Sequence, residues 1–237
     1  MLLETVRMKR GRNDLVIQGM QHVAPAGFYK AIQAEIMAAA ASGHRVYYEG
    51  LRNNEALDCL NEDERQISGF FRSLFATYDE VAAACGFVTQ KESLYYPPDA
   101  VNADMSLRRL VVALGRPGPR SRAILWLLRK FYTEEMRQGL LLNIRSNPPR
   151  EALLNGGRFH NFLALAVMWP FWPVLVDFRN FLVVDAVERD LEAGIADRAY
   201  VCYGQAHLPG IIGLFEERGW QVLDAGRRTA AMFLDAP

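Results

Sequence analysis

The pattern of apolar and polar positions near the start of the chain predicts a strand, a helix and a second strand. Residues 15–19 form an apolar run that ends at a glycine, which is typical of a buried strand. Residues 25–42 are rich in alanine, begin with a proline and are followed by Gly43, a combination that predicts a helix. Residues 44–48 are predicted as the second strand. Because a helix crosses between them, the two strands should be parallel.

The middle of the chain is predicted to be mainly helical. Residues 62–84 carry apolar side chains at intervals close to 3.6 residues, and Gly86 is placed to end this helix. Two more helices are expected on either side of a loop rich in glycine and proline. The remaining predictions here are an extended piece at 93–96, a strand end at 100–105, and helices over 105–114 and 121–145.

The C-terminal part returns to alternating helices and strands, which favours a parallel sheet. The predicted fold is therefore α/β, with a central mixed, largely parallel sheet flanked by helices. The expected elements are a helix over 178–193, a strand over 199–203, a short helix over 209–218, and closing strands at 220–224 and 230–234.

One short pattern occurs near both ends of the chain. Each copy has an apolar run, then Gly-x-x-His, then a proline within three residues and a helix-like stretch; the copies run from Gly19 to His22 and from Gly204 to His207. Residues just past the carboxyl ends of parallel strands line the ligand crevice of an open α/β sheet. If the two strands are parallel and close, both imidazoles face one crevice. The chain is then a single domain with two repeat-related βαβ-type halves, 1–60 and 171–237, around a mostly helical insert, 61–170.

His22, Glu49 and His207 all follow predicted strands and form a candidate reactive centre. Two neutral imidazoles and a carboxylate are a usual ligand set for Zn²⁺ or another divalent transition metal. A metal-bound water can ionise near neutral pH and attack a carbonyl. Gly19 and Gly204 allow sharp turns that bring backbone N–H groups close to a ligand or an oxyanion. The spacing does not distinguish a metal site from a metal-free acid/base pair.

Arg179, Asn180 and Asp104 are further candidates, because each follows a short apolar run. An arginine offers two parallel donors to a carboxylate or a developing anion, and an asparagine both donates and accepts hydrogen bonds. Each candidate also has a structural interpretation. The histidines could be hydrogen-bonded turn residues, Glu49 a helix cap or surface acid, Arg179 a salt-bridge partner and Asp104 a helix N-cap.

Composition narrows the classes of partner and compartment. The chain has 237 residues and a formal net charge of zero, so no large field attracts nucleic acid. Its three cysteines, Cys59, Cys85 and Cys202, do not suggest a disulfide framework. The most apolar stretch, 162–176, holds two prolines and is too short to span a membrane, so we expect core or a homodimer contact there. No signal-peptide h-region is visible, and a cytoplasmic location is expected.

Several of these motifs, in this order, resemble the TraB/Tiki superfamily, which includes GumN-like proteins and, more distantly, erythromycin-esterase and ChaN-like proteins. The resemblance covers most of the chain. It rests on Gly19-x-x-His22, Tyr48-Glu49-Gly50, Arg179-Asn180, Gly204-Gln-Ala-His207-Leu-Pro-Gly210 and Gly219-Trp220. The last Gly-x-x-His motif is the most specific of these, and the middle helices carry little signal. The family fold is a central sheet flanked by helices, with two halves related by a rough repeat.

The resemblance implies a metal-dependent hydrolase of amide or ester bonds, most plausibly a peptidase that acts on small peptides with Mn²⁺, Co²⁺ or Zn²⁺. It implies that His22 and His207 are metal ligands or catalytic bases, that Glu49 is a ligand or general base, and that Arg179 polarises or holds the substrate. Residues expected to bind substrate are Arg179, Asn180, Asp104, Gly19, Gly204 and Gln205.

Two other functions stay open from the sequence. One is a non-catalytic protein that binds a peptide or haem, as ChaN-like relatives do, with the aromatic segment 162–176 covering a flat ligand. The other is a metal-free esterase or cyclising enzyme, as in the erythromycin-esterase branch, in which His22 and Glu49 activate water without a metal.

Overall fold

The structure is a computed structural model that describes residues 2–52, 60–116, 133–148 and 171–229, together with residues 118, 122, 123, 125, 126 and 150. Its strands are β1 (Leu2–Arg10), β2 (Asn13–Met20), β3 (Val23–Ala24), β4 (Arg45–Tyr48), β5 (Val88–Thr89), β6 (Val101–Asn102), β7 (Arg198–Gly204) and β8 (Gln221–Thr229). Its helices are α1 (Ala26–Ala41), α2 (Glu62–Cys85), α3 (Gln90–Ser93), α4 (Leu107–Gly115), α5 (Glu134–Ser146), α6 (Phe178–Glu192) and α7 (Leu208–Glu217). A π-helical turn (Pro173–Asp177) precedes α6, and a 3₁₀ turn (Gln205–His207) precedes α7.

A six-stranded sheet in the order β6-β4-β7-β2-β1-β8 forms the centre of the molecule. Strands β6, β4, β7 and β2 run parallel, and β1 is antiparallel to both β2 and β8. The predicted class is therefore confirmed: a mixed, largely parallel α/β sheet flanked by helices. The two strands that lead into the Gly-x-x-His motifs, β2 and β7, are direct parallel neighbours, with Met20 opposite Gly204.

Strand β7 is buried on both faces, which explains its unbroken apolar run. On one face Val201 and Tyr203 pack into a core with α6 and α7. On the other face Tyr200 and Cys202 pack into a core with α1. Helices that cover both faces leave the carboxyl ends of the parallel strands as the crevice into which their loops open.

The middle helices form a separate apolar cluster beside the sheet. Helix α2 begins with a capping box between Asn61 and Glu64 and ends at Gly86, whose φ of 67° suits glycine. It packs on α4 and on the turn that precedes α6 through Ile67 and Phe71. Of the helix predicted over 121–145, the structure describes the continuous part from Glu134 onward.

Three local features differ from the sequence analysis. Strand β1, for which no element was predicted, pairs with β2 through a tight turn at Gly11, where φ is 59°. The apolar run Val174–Phe178 that precedes Arg179 is mostly the π-helical turn. Strand β8 continues to Thr229, where the sequence suggested a break after residue 224. The second closing strand, 230–234, and most of the aromatic segment 162–176 lie outside the described residues. Within the described ranges, no helix has the length and apolarity needed to cross a membrane.

Candidate active site

Four predicted residues meet where the parallel strands end. Glu49 directly follows β4, Asp104 follows β6 by two residues, and His207 lies in the turn after β7. Arg179 reaches them from the first turn of α6. All four side chains are buried, so their charges are compensated by one another rather than by water.

The guanidinium of Arg179 is the hub of this cluster. Its Nε and Nη2 donate to the two carboxylate oxygens of Asp104 at 2.8 and 2.6 Å, and Nη2 also donates to Oε1 of Glu49 at 2.5 Å. Its Nη1 donates to the carbonyl of Leu175 at 3.2 Å and lies 3.4 Å from Nε2 of His207. A guanidinium has five N–H groups, and here each has a partner inside the protein. Arg179 is therefore a fixed buried charge and not a free donor for substrate.

Glu49 is held as a carboxylate. Its Oε1 accepts from Arg179, and its Oε2 accepts the backbone N–H of Gly204 at 2.5 Å. Burial alone would raise the pKa of Glu49, but Arg179, the two imidazoles of His207 and His22, and the Gly204 N–H together hold that pKa well below its ordinary value. The side chain consequently stays charged across the neutral range.

His207 is held as a neutral imidazole. Its Nδ1 lies 2.7 Å from the carbonyl oxygen Oδ1 of Asn180. Because this oxygen can only accept a hydrogen bond, Nδ1 is the donor and carries the proton. The bare Nε2 then faces Nη1 of Arg179 and lies 3.7 Å from Oε1 of Glu49. Burial lowers the pKa of His207 to about 4, against the opposing effect of Glu49. At neutral pH the imidazole of His207 is therefore uncharged.

The glycines of the second motif make room for these contacts. A Cβ on Gly204 would lie 2.8 Å from Oε2 of Glu49, and a Cβ on Gly210 would lie 2.2 Å from Nδ2 of Asn180. In the first motif, a Cβ on Gly19 would lie 2.1 Å from Oε1 of Gln205. Each glycine is needed for close approach by a side chain from another part of the chain.

Arg179 and Asn180 are neighbours in sequence yet both serve the cluster. Side chains at i and i+1 of a helix normally diverge by about 100°. Here they begin α6 directly after the π-helical turn, and Arg179 donates back into that turn at Leu175. Single π-helical turns frequently occur at functional sites.

His22 does not join the buried cluster. Its side chain is exposed and stacks on the ring of Tyr78 in α2, with ring centroids 5.0 Å apart and planes at 24°. Its imidazole is close enough to act on the pKa of both Glu49 and His207. The two histidines therefore share one crevice, one in its wall and one at its mouth.

The structure assigns different roles to two of the predicted substrate-binding residues. Gln205 uses Oε1 to accept the backbone N–H of Glu4 at 2.8 Å, which ties the turn to β1. Asp104 is not a helix cap, because Ser106 caps α4; its Oδ1 instead accepts from Arg179 and from the N–H of Met105. Both carboxylates of the cluster thus have backbone donors as well as Arg179.

Tyr78 was not predicted as a site residue. In the sequence it is one apolar position of a helical stripe, and only the fold brings it beside His22. Burial raises the pKa of Tyr78 to about 12, with Glu49 adding to the shift. At neutral pH its hydroxyl is therefore a donor.

Comparisons with known proteins do not assign this chain to a family. No family model, no curated protein and no solved structure matches this chain. Membership of the TraB/Tiki superfamily therefore stays a prediction from motifs.

A divalent metal fits this donor set poorly. Among the described residues there is no group of three or more His, Cys, Asp or Glu side chains arranged to hold an ion. Nη1 and Nη2 of Arg179 already face Nε2 of His207 and Oε1 of Glu49, so a bound cation would have to share these ligands with a fixed positive charge. A bound ion stays a prediction that elemental analysis tests.

Proposed function

We propose that the protein is a hydrolase of amide or ester bonds, most plausibly a peptidase for small peptides, and that His207 is its general base. The observation that carries the proposal is the buried neutral imidazole. Asn180 fixes its tautomer, and its unprotonated Nε2 lies 3.4 Å from Nη1 of Arg179 and 3.7 Å from Oε1 of Glu49. A general base needs a lone pair at the operating pH, and the lowered pKa of His207 supplies one.

In this mechanism His207 removes a proton from a water molecule that attacks the scissile carbonyl. The imidazolium that forms is stabilised by Glu49, whose Oε1 lies 3.7 Å from Nε2. Asn180 is a positioning residue that keeps Nε2 free of a proton in the resting state. Hydrolases commonly pair a general base in this way with side chains that orient it and stabilise its protonated form.

One positive feature is available to a developing oxyanion. Helix α7 begins directly after His207, so its positive N-terminal end lies at the crevice. The charge of Arg179 is already paired with Asp104 and Glu49 and holds these carboxylates in place. His22, exposed at the mouth, is the candidate to protonate the leaving group.

The resemblance to the TraB/Tiki superfamily supports the same reaction class and adds Mn²⁺, Co²⁺ or Zn²⁺ as a proposed cofactor. It also supports descent of the halves 1–60 and 171–237 from one repeat. Two parallel neighbouring strands, each followed by Gly-x-x-His, proline and a helix, are in keeping with that origin.

The test is a hydrolysis screen with fluorogenic dipeptide amides and p-nitrophenyl esters. Wild type is compared with His207→Ala and with His44→Ala, a matched control whose histidine bonds Ser42 at the opposite ends of the strands. We expect similar turnover by wild type and His44→Ala, and about 10³-fold slower turnover by His207→Ala. Equal turnover by all three proteins would refute the role of His207.

Elemental analysis of the same preparations tests whether the protein binds a metal ion. Protein purified without chelator should retain activity after dialysis against EDTA if the reaction needs no metal. Stoichiometric metal that disappears in His22→Ala and His207→Ala would instead establish the metal-dependent form of the reaction.

A further inference from the structure

Tyr203 lies against the proposed base but has no part in the proposed mechanism. It is the next-to-last residue of β7, and His207 follows it in the 3₁₀ turn after that strand. The two rings are perpendicular, with centroids 5.2 Å apart and planes at 86°. Perpendicular ring pairs at this separation attract each other beyond the effect of the area that they bury. The contact is therefore able to orient the imidazole.

The hydroxyl of Tyr203 holds its ring in place. It donates to the carbonyl of Ala103 at 3.1 Å, and the whole side chain is buried. Burial raises the pKa of Tyr203 well above its ordinary value, so the hydroxyl is a donor at neutral pH. The N–H of Ala103 in turn donates to the carbonyl of Tyr48 at 3.1 Å, which ties this segment to β4. The ring is thus anchored to the backbone directly before Asp104.

A single hydrogen bond does not fix the plane of an imidazole. The bond from Nδ1 of His207 to Oδ1 of Asn180 holds one nitrogen and leaves the ring free to tilt about the line that joins the two atoms. A tilt would move Nε2 relative to Nη1 of Arg179 and Oε1 of Glu49, which lie 3.4 and 3.7 Å from it. It would also disturb the perpendicular contact with Tyr203, whose ring is packed in the core and anchored by its hydroxyl.

We propose that Tyr203 is a positioning residue that fixes the plane of the His207 imidazole and so holds Nε2 beside Arg179 and Glu49. Asn180 determines which nitrogen carries the proton, and Tyr203 determines where the other nitrogen lies. Tyr203 acts only through His207, because its fully buried side chain has no surface to offer a substrate. The inference rests on the proposed function, in which His207 is the general base.

Tyr47 is a matched control. It is also fully buried in the same apolar core, and its hydroxyl donates to Oδ2 of Asp190 at 3.0 Å. Asp190 lies in the last turn of α6, whereas Arg179 and Asn180 lie in its first turn. Replacing either tyrosine by phenylalanine removes one buried hydroxyl and its hydrogen bond, so the two variants should lose similar stability.

The experiment combines heteronuclear NMR of the histidine side chains in the full chain with steady-state kinetics. In wild type we expect the His207 signals of a single tautomer with the proton on Nδ1. In Tyr203→Leu, which lacks the ring, we expect signals averaged between orientations and tautomers, and a kcat about fivefold lower with an unchanged KM. Tyr203→Phe keeps the ring and should restore both the single tautomer and the wild-type kcat.

A merely structural role would give a different pattern. Tyr203→Phe and Tyr47→Phe should both melt earlier than wild type while His207 keeps its wild-type signals, so lost stability alone does not disturb the base. Tyr203→Met, with an unbranched side chain that adapts to the space, replaces Tyr203→Leu if the latter does not fold. A single Nδ1–H tautomer together with wild-type kcat in the variant without the ring would overturn the inference. Disturbed His207 signals in that variant, with no hydrolysis of any substrate by wild type, would leave the positioning role standing and remove the proposed function alone.

Discussion

The two Gly-x-x-His turns follow neighbouring parallel strands, yet their histidines end in opposite surroundings. His207 is buried, bonded to Asn180 and 3.7 Å from Glu49. His22 is exposed and contacts the ring of Tyr78. The motif therefore positions a histidine at the crevice, and the elements packed around it decide what that histidine can do.

Sheet order explains most of the difference. Strand β7 lies next to β4, whose end carries Glu49, and is covered by α6, which supplies Asn180. Strand β2 has β7 on one side and the antiparallel β1 on the other, so no second carboxyl end lies beyond it. His207 consequently lies beside the carboxylate of Glu49 and the amide of Asn180, while His22 contacts the ring of Tyr78 and solvent.

Replacing each histidine in turn is the most direct test of whether the two turns have different roles. General acid–base groups typically contribute about 10²–10⁴-fold to rate. We expect His207→Ala to reduce kcat/KM by about 10³-fold and His22→Ala by about tenfold, because only His207 is fixed in one tautomer. Steady-state kinetics on the best substrate from the screen measures both. Equal losses would mean that the two turns act as one unit, as a shared metal requires.

The same contrast should appear in the pH dependence of stability. The pKa of His207 is about 4 in the folded protein against 6.5 when unfolded, so the unfolded chain binds more protons between these values. The free energy of unfolding should therefore fall by up to about 3 kcal/mol as the pH drops from about 6.5 to about 4. The stability supplied by Glu49, whose folded pKa is lowered, is present above its ordinary value and is lost below it.

Urea denaturation from pH 7.5 to pH 4 measures this loss in wild type, His207→Gln and His22→Gln. The His207→Gln protein should be less sensitive to acid over that range. His22→Gln is the matched variant at the exposed histidine. Parallel curves for wild type and His207→Gln would show that the buried imidazole does not govern the acid response.

The sheet was largely predictable and the site only in part, for physical reasons. Apolar runs and turn glycines are local signals, so β2, α1, β4, α2 and β7 were recognised. The hub contacts of Arg179 were not, because they join residues 75 and 130 positions apart in sequence. The roles of Gly210 and Gln205 depend on Asn180 and Glu4, which no nearby residue indicates.

Gly210 allows the His207 surroundings to be altered without touching His207. A Cβ there would overlap Nδ2 of Asn180, whereas a Cβ on Gly213 in the same helix would meet nothing within 4 Å. We expect Gly210→Ala to displace Asn180, release the tautomer of His207 and lower kcat about tenfold. Gly213→Ala should keep activity and raise the free energy of unfolding by about 1 kcal/mol through helix propensity. Full activity in Gly210→Ala would show that Asn180 has no role in the mechanism.

The smallest effect is expected at Tyr78, the partner of the exposed histidine. A stacked pair of aromatic rings is worth about 0.5–1.5 kcal/mol, so Tyr78→Leu should let His22 move without loosening the buried cluster. kcat/KM should fall a few-fold in Tyr78→Leu, and Tyr78→Leu should cause no further loss when it is added to His22→Ala, because both changes act through the same ring. Additive losses in that double-mutant cycle would give Tyr78 its own contact with substrate, and its hydroxyl, a donor at neutral pH, would then be the group to examine.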